Sequence, residues 1–272
     1  MGSMPELPEV ETIRGQLATT LEGRWVRCAW ARSGPRWDEA ASVEGALVTG
    51  VRRRGKFLIL AHDSEAGERD LVVHLGMTGQ LCLGGRPGPD PHVHVVLRLD
   101  SGEHVSYRDV RKFGRWRVTP RGDYARIQSL ARMGPEPLST SFCLDAFTAE
   151  LTKEGAPVKA RLLLQRIVGG LGNIYVDEAL HAAGVHPARR FLDADECARL
   201  HRSIQEVLET SLAAGGTTFR DYLNANGSRG TNVSNLRVYG RAGQECTVCG
   251  SVLSRLLVAG RSSVLCERCQ VP

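Results

Sequence analysis

The sequence predicts an α+β chain: a β-sandwich lobe with an N-terminal helix, then a helical lobe that closes on a four-cysteine unit. Three observations predict it. Between Arg24 and Thr119 the segments WVRCAWA, FLILAH, LVVHL, HVVLRL, HVSYRD and RWRVT are short, β-branched or aromatic, and separated by Gly, Pro or Asp turns. Between Phe147 and Leu212 apolar residues recur instead at spacings of three and four. The stretch 237–269 is too small to bury a useful core, and it carries Cys246, Cys249, Cys266 and Cys269 as C-x2-C-x16-C-x2-C.

Taken in order, Met1-Gly2-Ser3 reads as a cloning scar ahead of a start at Met4, with a misassigned start codon as the alternative. Pro8 suits the first turn of a helix, along which Val10, Ile13, Leu17 and Leu21 recur until Gly23 stops it. The strand-like segments complete a first domain, 1–120, and a linker, 121–141, contains GPEPLST. The helical part, 142–235, shows helices over Phe147–Leu151, Val158–Ile167, Ile174–Ala183 and Ala194–Leu212. GGLGN at 169–173 is a pair of tight turns, and 215–235, rich in Gly, Asn, Ser and Thr, is a long loop whose part 224–235 is expected to be mobile without a ligand. The final unit is 236–272.

Composition excludes several classes. A hydrophobic content of 42% and a charged content of 24% are those of a globular chain, not a disordered one. No apolar run approaches the ~20 residues that span a bilayer, so no membrane role is expected. Thirty-five Lys+Arg against 30 Asp+Glu leave a net charge of +5, which permits a nucleic-acid partner without demonstrating one. Two CxxC pairs point to a metal rather than to disulfides, and hence to a reducing, cytoplasmic setting. Four thiolates complete a tetrahedral shell with no open position, so one structural Zn2+ is expected. Arg255 and Arg261 lie between the pairs on a predicted hairpin, where a guanidinium can meet a phosphate.

The N-terminus admits two readings. With Met4 removed, Pro5 presents a secondary amine whose pKa near ~8 leaves a useful fraction unprotonated. Attack on a sugar aldehyde carbon would give a cationic iminium, with Glu6 beside it to shuttle protons. Alternatively the segment is a helix start, with Glu6, Glu9 and Glu11 complementing the helix dipole.

Pro5-Glu6-Leu7-Pro8-Glu9-Val10-Glu11-Thr12 resembles the opening of the formamidopyrimidine-DNA glycosylases. The resemblance continues through Gly55-Lys56-Phe57, His74-Leu75-Gly76-Met77-Thr78-Gly79, Asp109-Val110-Arg111-Lys112-Phe113-Gly114 and Gly134-Pro135-Glu136-Pro137-Leu138. It runs on through Gly172-Asn173-Ile174-Tyr175 and Val238-Tyr239-Gly240-Arg241 to the four cysteines. It spans nearly the whole chain in order, and the PELPEVET opening is nearer this branch than the endonuclease VIII branch.

The resemblance implies a helix–two-turns–helix motif, a zinc finger, and DNA held between two lobes. Pro5 would be the nucleophile and Glu6 the acid/base residue. Lys56, His74, Asn173 and Arg261 would grip phosphates, with Tyr239 close by. Met77, Arg111 and Phe113 would fill the gap left by the extruded nucleotide, with Arg111 facing the orphaned base. Glu178 would support the N-terminal site from the helical lobe, and the loop holding Thr231, Asn232 and Val233 would cap the lesion. The physics agrees, because an enzyme acting at C1′ must flip the nucleotide and wedge the gap.

Two departures stand out. Leu164 precedes Gln165 where the family usually has Asp, and loop 226–235 lacks the usual aromatic pair after a Gly. The implied activity is a bifunctional glycosylase and abasic-site lyase of base excision repair, acting as a monomer on double-stranded DNA with a damaged base. In a bacterial cytoplasm it would be nucleoid-associated through that DNA. Its expected lesions are 8-oxoguanine and formamidopyrimidines. The rivals are a paralogue for oxidised pyrimidines or other adducts, and a catalytically silent damage binder.

Overall fold

The computed structural model describes residues 4–84, 90–219 and 222–272; the Met1-Gly2-Ser3 segment lies outside them. The chain forms two compact units, 1–131 with 214–231, and 132–213 with 232–272. Among the described residues no helix is long and apolar enough to cross a membrane.

The first unit begins with α1 (Leu7–Leu21) and continues through β1 (Val26–Ala31), β2 (Leu47–Arg54), β3 (Phe57–Ser64), β4 (Gly67–His74), β5 (Gly79–Leu83), β6 (Val93–Leu99), β7 (His104–Asp109) and β8 (Arg115–Pro120). A 3-10 turn over Asp38–Val43 lies between β1 and β2, and a short α2 (Gln128–Ala131) falls inside the expected linker. Two antiparallel four-stranded sheets result, ordered β1-β6-β7-β5 and β2-β3-β4-β8. Alternation puts Leu58, Leu60, Leu71, Val73, Val95, Leu97 and Val105 in one core with Val10, Ile13, Leu17 and Leu21 of α1. β2 and β5, which the sequence reading leaves as connections, are both sheet edges. β2 is only half-buried and ends in three arginines, so its pattern is weak.

The second unit contains α3 (Leu144–Leu151), α4 (Val158–Leu163), α5 (Asn173–Ala183), α6 (Ala194–Ala213), a 3-10 turn over Asn232–Asn235, and the hairpin of β9 (Ser254–Val258) and β10 (Arg261–Leu265). α4 stops four residues before the expected Ile167. There Gln165 turns left-handed, at φ 62, and its side chain closes the following turn. Gln165 Oε1 accepts the Gly170 N–H at 2.7 Å, and Nε2 donates to the Leu171 carbonyl. The Gly134 N–H meets the Gln165 carbonyl at 2.8 Å, and a Cβ at Gly134 would lie 2.3 Å from the Arg166 carbonyl. Leu164 is 63% exposed.

The segment 214–231, which the sequence reading attaches to the helices, packs with the first unit. Tyr222 and Ala225 join its core. The Ala225 N–H donates to Gln16 Oε1 at 2.7 Å, and the Leu83 N–H donates to the Ala225 carbonyl at 2.8 Å.

Candidate active site and metal centre

In the first unit Pro5 is buried and Glu6, 3% exposed, caps α1. The Glu6 N–H donates to Glu9 Oε2 at 2.8 Å. The other oxygen, Oε1, accepts the Thr217 N–H at 2.7 Å. A Cβ on Gly216 would lie 2.9 Å from that Oε1, and its φ of +87 suits Gly alone. Glu9 therefore ties the backbone beside Pro5 to the segment 214–231. Sequence reasoning gives Glu9 a helix-dipole part only; the spacing Glu6–Glu9 is a capping signal that could have found half of this role.

Lys56, buried, sits in the turn joining β2 to β3. Its neighbour Phe57 pairs with His74 across β3 and β4, the rings 4.9 Å apart. Burial, with Lys56 and Arg115 nearby, pulls the His74 pKa down to about 4. His74 Nδ1 accepts the Gly76 N–H at 3.2 Å, so the neutral ring carries its proton on Nε2 and is a donor there. The basic run beside Lys56 is largely spent on ion pairs: Arg52 meets Asp70 at 2.9 Å and Arg53 meets Glu11 at 2.9 Å.

The loops bearing Met77 and Arg111–Phe113 are held by one carboxylate. Asp109, fully buried, accepts from Thr78 Oγ1 at 2.6 Å, the Gly114 N–H at 2.8 Å and the Tyr107 hydroxyl at 3.1 Å. Thr78 Oγ1 in turn accepts the Arg111 N–H at 3.0 Å. A Cβ on Gly76 would lie 2.6 Å from the Gly114 nitrogen, so the two loops touch backbone to backbone. Arg111 lies over the Phe113 ring, 4.7 Å from its centroid, while Phe113 is 46% exposed and Met77 half-buried. An exposed aromatic and a cation on one stiff loop can enter a base stack.

In the second unit Asn173 opens α5, and its Nδ2 donates to the Ser262 carbonyl at 2.9 Å. Arg261, exposed, precedes Ser262 at the start of β10, after a two-residue turn in which Ala259 and Gly260 have φ of 46 and 75. Lys159 also reaches the Ser262 carbonyl, at 2.8 Å, and pairs with Asp177 at 2.7 Å. Burial raises the Asp177 carboxyl against the pull of Lys159 and the Val264 N–H. Glu178 is pushed up by burial too, and accepts the N–H groups of Arg237 at 2.8 Å, Val238 at 2.9 Å and Tyr239 at 2.7 Å. The sequence reading gives Glu178 a part toward the N-terminal site; what its carboxylate positions here is Tyr239 and the approach to the cysteines. Of the capping residues, Thr231 is exposed and its N–H meets the Ala214 carbonyl at 2.9 Å. Asn232 is buried and Val233 is 41% exposed. Thr217 and Thr231 form an isolated bridge in the first unit, and Asn232–Asn235 is a 3-10 turn in the second.

Comparison with known proteins decides the family. The model of the formamidopyrimidine-DNA glycosylase N-terminal domain matches residues 4–116, that of the family's H2TH domain matches 133–222, and that of the zinc finger found in FPG and IleRS matches 243–271. The formamidopyrimidine-DNA glycosylase of Herpetosiphon aurantiacus is 39% identical over 98% of this chain and 100% of its own length. That of Thermus thermophilus is 42% identical over 98% of each. The chain belongs to the formamidopyrimidine-DNA glycosylase family. The crystal structure of the Fpg protein from Thermus thermophilus has a TM-score of 0.90 at 41% identity, covering 98% of both chains. A Lactococcus lactis Fpg complex with DNA containing an oxidised pyrimidine has a TM-score of 0.89 at 33% identity, covering 98% of this chain and 100% of that one.

The four cysteines of this glycosylase fit zinc. Their sulfur atoms all lie within 4.8 Å of one another, and the pairs Cys249–Cys266 and Cys246–Cys269 are 3.4 and 3.9 Å apart. A tetrahedron with Zn–S of ~2.3 Å needs edges of about 3.8 Å. The cysteines hold one structural zinc, which supplies a fixed frame for β9 and β10 around a core of Val238, Leu253 and Val264.

Proposed function

We propose that this glycosylase of base excision repair removes oxidised purines, 8-oxoguanine and formamidopyrimidines, and then cleaves the abasic site. The observation that carries this reading is Pro5-Glu6 at the start of α1, with the Glu6 backbone anchored by the buried Glu9. The Pro5 amine attacks C1′ as the N-glycosidic bond breaks and the base leaves with a proton. Opening of the C1′–O4′ bond, with a proton passed to O4′, then leaves an iminium at C1′ that acidifies C2′; loss of that proton expels the 3′ phosphate, and a second elimination expels the 5′ phosphate. Glu6 moves the protons. Lys56, neutral His74, Asn173 and Arg261 take the phosphates, Met77, Arg111 and Phe113 take the gap, and Tyr239 stands near the backbone. Thr231, Asn232 and Val233 close over the extruded base, and the polar side chains of Thr231, Asn232 and Ser234 support a wider lesion range than an aromatic lid. The protein works as a monomer on double-stranded DNA in the bacterial cytoplasm, near the nucleoid.

Borohydride trapping on lesion-bearing DNA tests the chemistry. Protein beginning at Pro5 forms a covalent adduct. Protein beginning at Met1, whose Pro5 nitrogen is a tertiary amide, does not, and efficient trapping by it removes Pro5 as nucleophile. Glu6→Gln binds the lesion but loses excision. A lesion panel with purines and pyrimidines opposite cytosine and guanine then ranks substrates; a pyrimidine-first ranking overturns the lesion assignment.

A further inference from the structure

Helix α5 is fastened to the zinc-bearing part of its unit by a column of side chains. Asn173, Asp177 and His181 recur every four residues along one helix face, and Glu178 flanks it beside Asp177. Asn173 meets the Ser262 carbonyl, Asp177 the Val264 N–H, and Glu178 the three N–H groups of 237–239. The fourth member is unlike the others. His181 is 4% exposed, and its Nε2 lies 3.5 Å from Cys246 Sγ. Its other nitrogen, Nδ1, has no hydrogen-bond partner among the described residues.

We propose that His181 is a hydrogen-bond donor to the zinc-bound thiolate of Cys246, quieting that sulfur and locking α5 to the metal site. A metal-bound thiolate carries no proton and can only accept, so the N–H must sit on Nε2. The opposite tautomer would bury an orphaned N–H at Nδ1 and face two lone pairs across the contact, which is the costlier arrangement. Four thiolates around one Zn2+ leave a doubly negative cluster, and each N–H aimed at a sulfur draws charge from it. Cys246 then has two donors, because the Val248 N–H also points at it from 3.4 Å. A sulfur so held is a poorer nucleophile toward oxidants and alkylating agents. The same bond makes the last turn of α5, eight residues from Asn173, answer to the metal.

The test uses the zinc-loaded, full-length protein and two variants, His181→Phe, which keeps a flat ring, and His181→Gln, which restores an N–H. Zinc release on challenge with N-ethylmaleimide is followed with a chromogenic zinc indicator. His181→Phe is expected to release zinc about 10-fold faster, the scale of losing an outer partner of a metal ligand, and His181→Gln to recover most of the difference. In cobalt-substituted protein the sulfur-to-metal charge-transfer band moves to longer wavelength in His181→Phe and returns in His181→Gln, a shift that a merely space-filling ring would not produce. Equal release rates and identical bands for parent and His181→Phe, each holding one metal, overturn the assignment. If neither variant folds, the cadmium-substituted parent decides. A histidine ring N–H split by coupling to cadmium through sulfur supports the bond, and its absence in a spectrum that resolves the buried ring protons refutes it.

Discussion

The two units order their working residues by different means. In the first, a large sandwich core supports loops whose geometry is set by single buried carboxylates, Glu9 at the start of α1 and Asp109 beneath Met77 and Arg111–Phe113. In the second, the part beyond residue 236 has only a handful of buried apolar side chains, and it relies on zinc and on the α5 column. A loop resting on a deep core can be disturbed alone. A unit whose core is a metal site comes apart as a whole.

Zinc removal breaks the comparison most sharply. Chelation, or Cys249→Ser, is expected to unfold 237–269, misplace Arg261 and abolish DNA affinity, while the sandwich keeps its own melting transition; binding and calorimetry on the same sample check both halves. Undiminished affinity after confirmed zinc loss refutes the dependence. Asp109→Asn is the counterpart in the first unit. It keeps the shape but cannot accept all three donors, so a loss of about 2 kcal/mol is expected with zinc retained. Fluorescence of a base analogue opposite the lesion should show impaired extrusion, and a variant as active and stable as the parent contradicts the hub.

A smaller effect is expected for Arg261→Ala, which removes one proposed phosphate contact from a hairpin that stays folded. Affinity falls alike across sequences, and the salt slope shallows by about 1. A loss confined to some sequences would assign Arg261 to base recognition instead. The effect of His74 appears only below neutral pH. Its pKa in the folded chain, about 4, is below the unfolded 6.5, so the unfolded chain takes up a proton first as pH falls. The contribution of neutral His74 to stability is complete above pH about 6.5 and is lost progressively between about 6.5 and 4. Ring-proton shifts that remain neutral at pH 5.5 fit this; titration near 6.5 does not. His74→Phe should flatten that part of the stability profile.

Much of this was legible in the chain. The cysteine spacing, the six strand segments and the helical periods each depend on neighbours a few residues away, and they reappear as β1, β3, β4, β6, β7, β8, α3, α5 and α6. β2 and β5 escaped because Gly50 and three terminal arginines weaken the pattern of β2, and β5 is only five residues long and opens on Gly79. The early end of α4 escaped as well. Apolar spacing runs on through Ile167, but the backbone bond from Gly134 to Gln165 and the Gln165 side chain hold a turn there.

The sequence by itself determined the elements, the zinc ligands and the order of the motifs, because periodicity and ligand spacing are written in residue types. Only the tertiary structure decided the partners of the buried polar groups. Glu9 reaches a backbone N–H 208 positions away, Glu178 reaches three more, and His181 finds a metal-binding sulfur. A main-chain N–H is the same on nearly every residue, so a carboxylate that ends on one leaves no pattern to read.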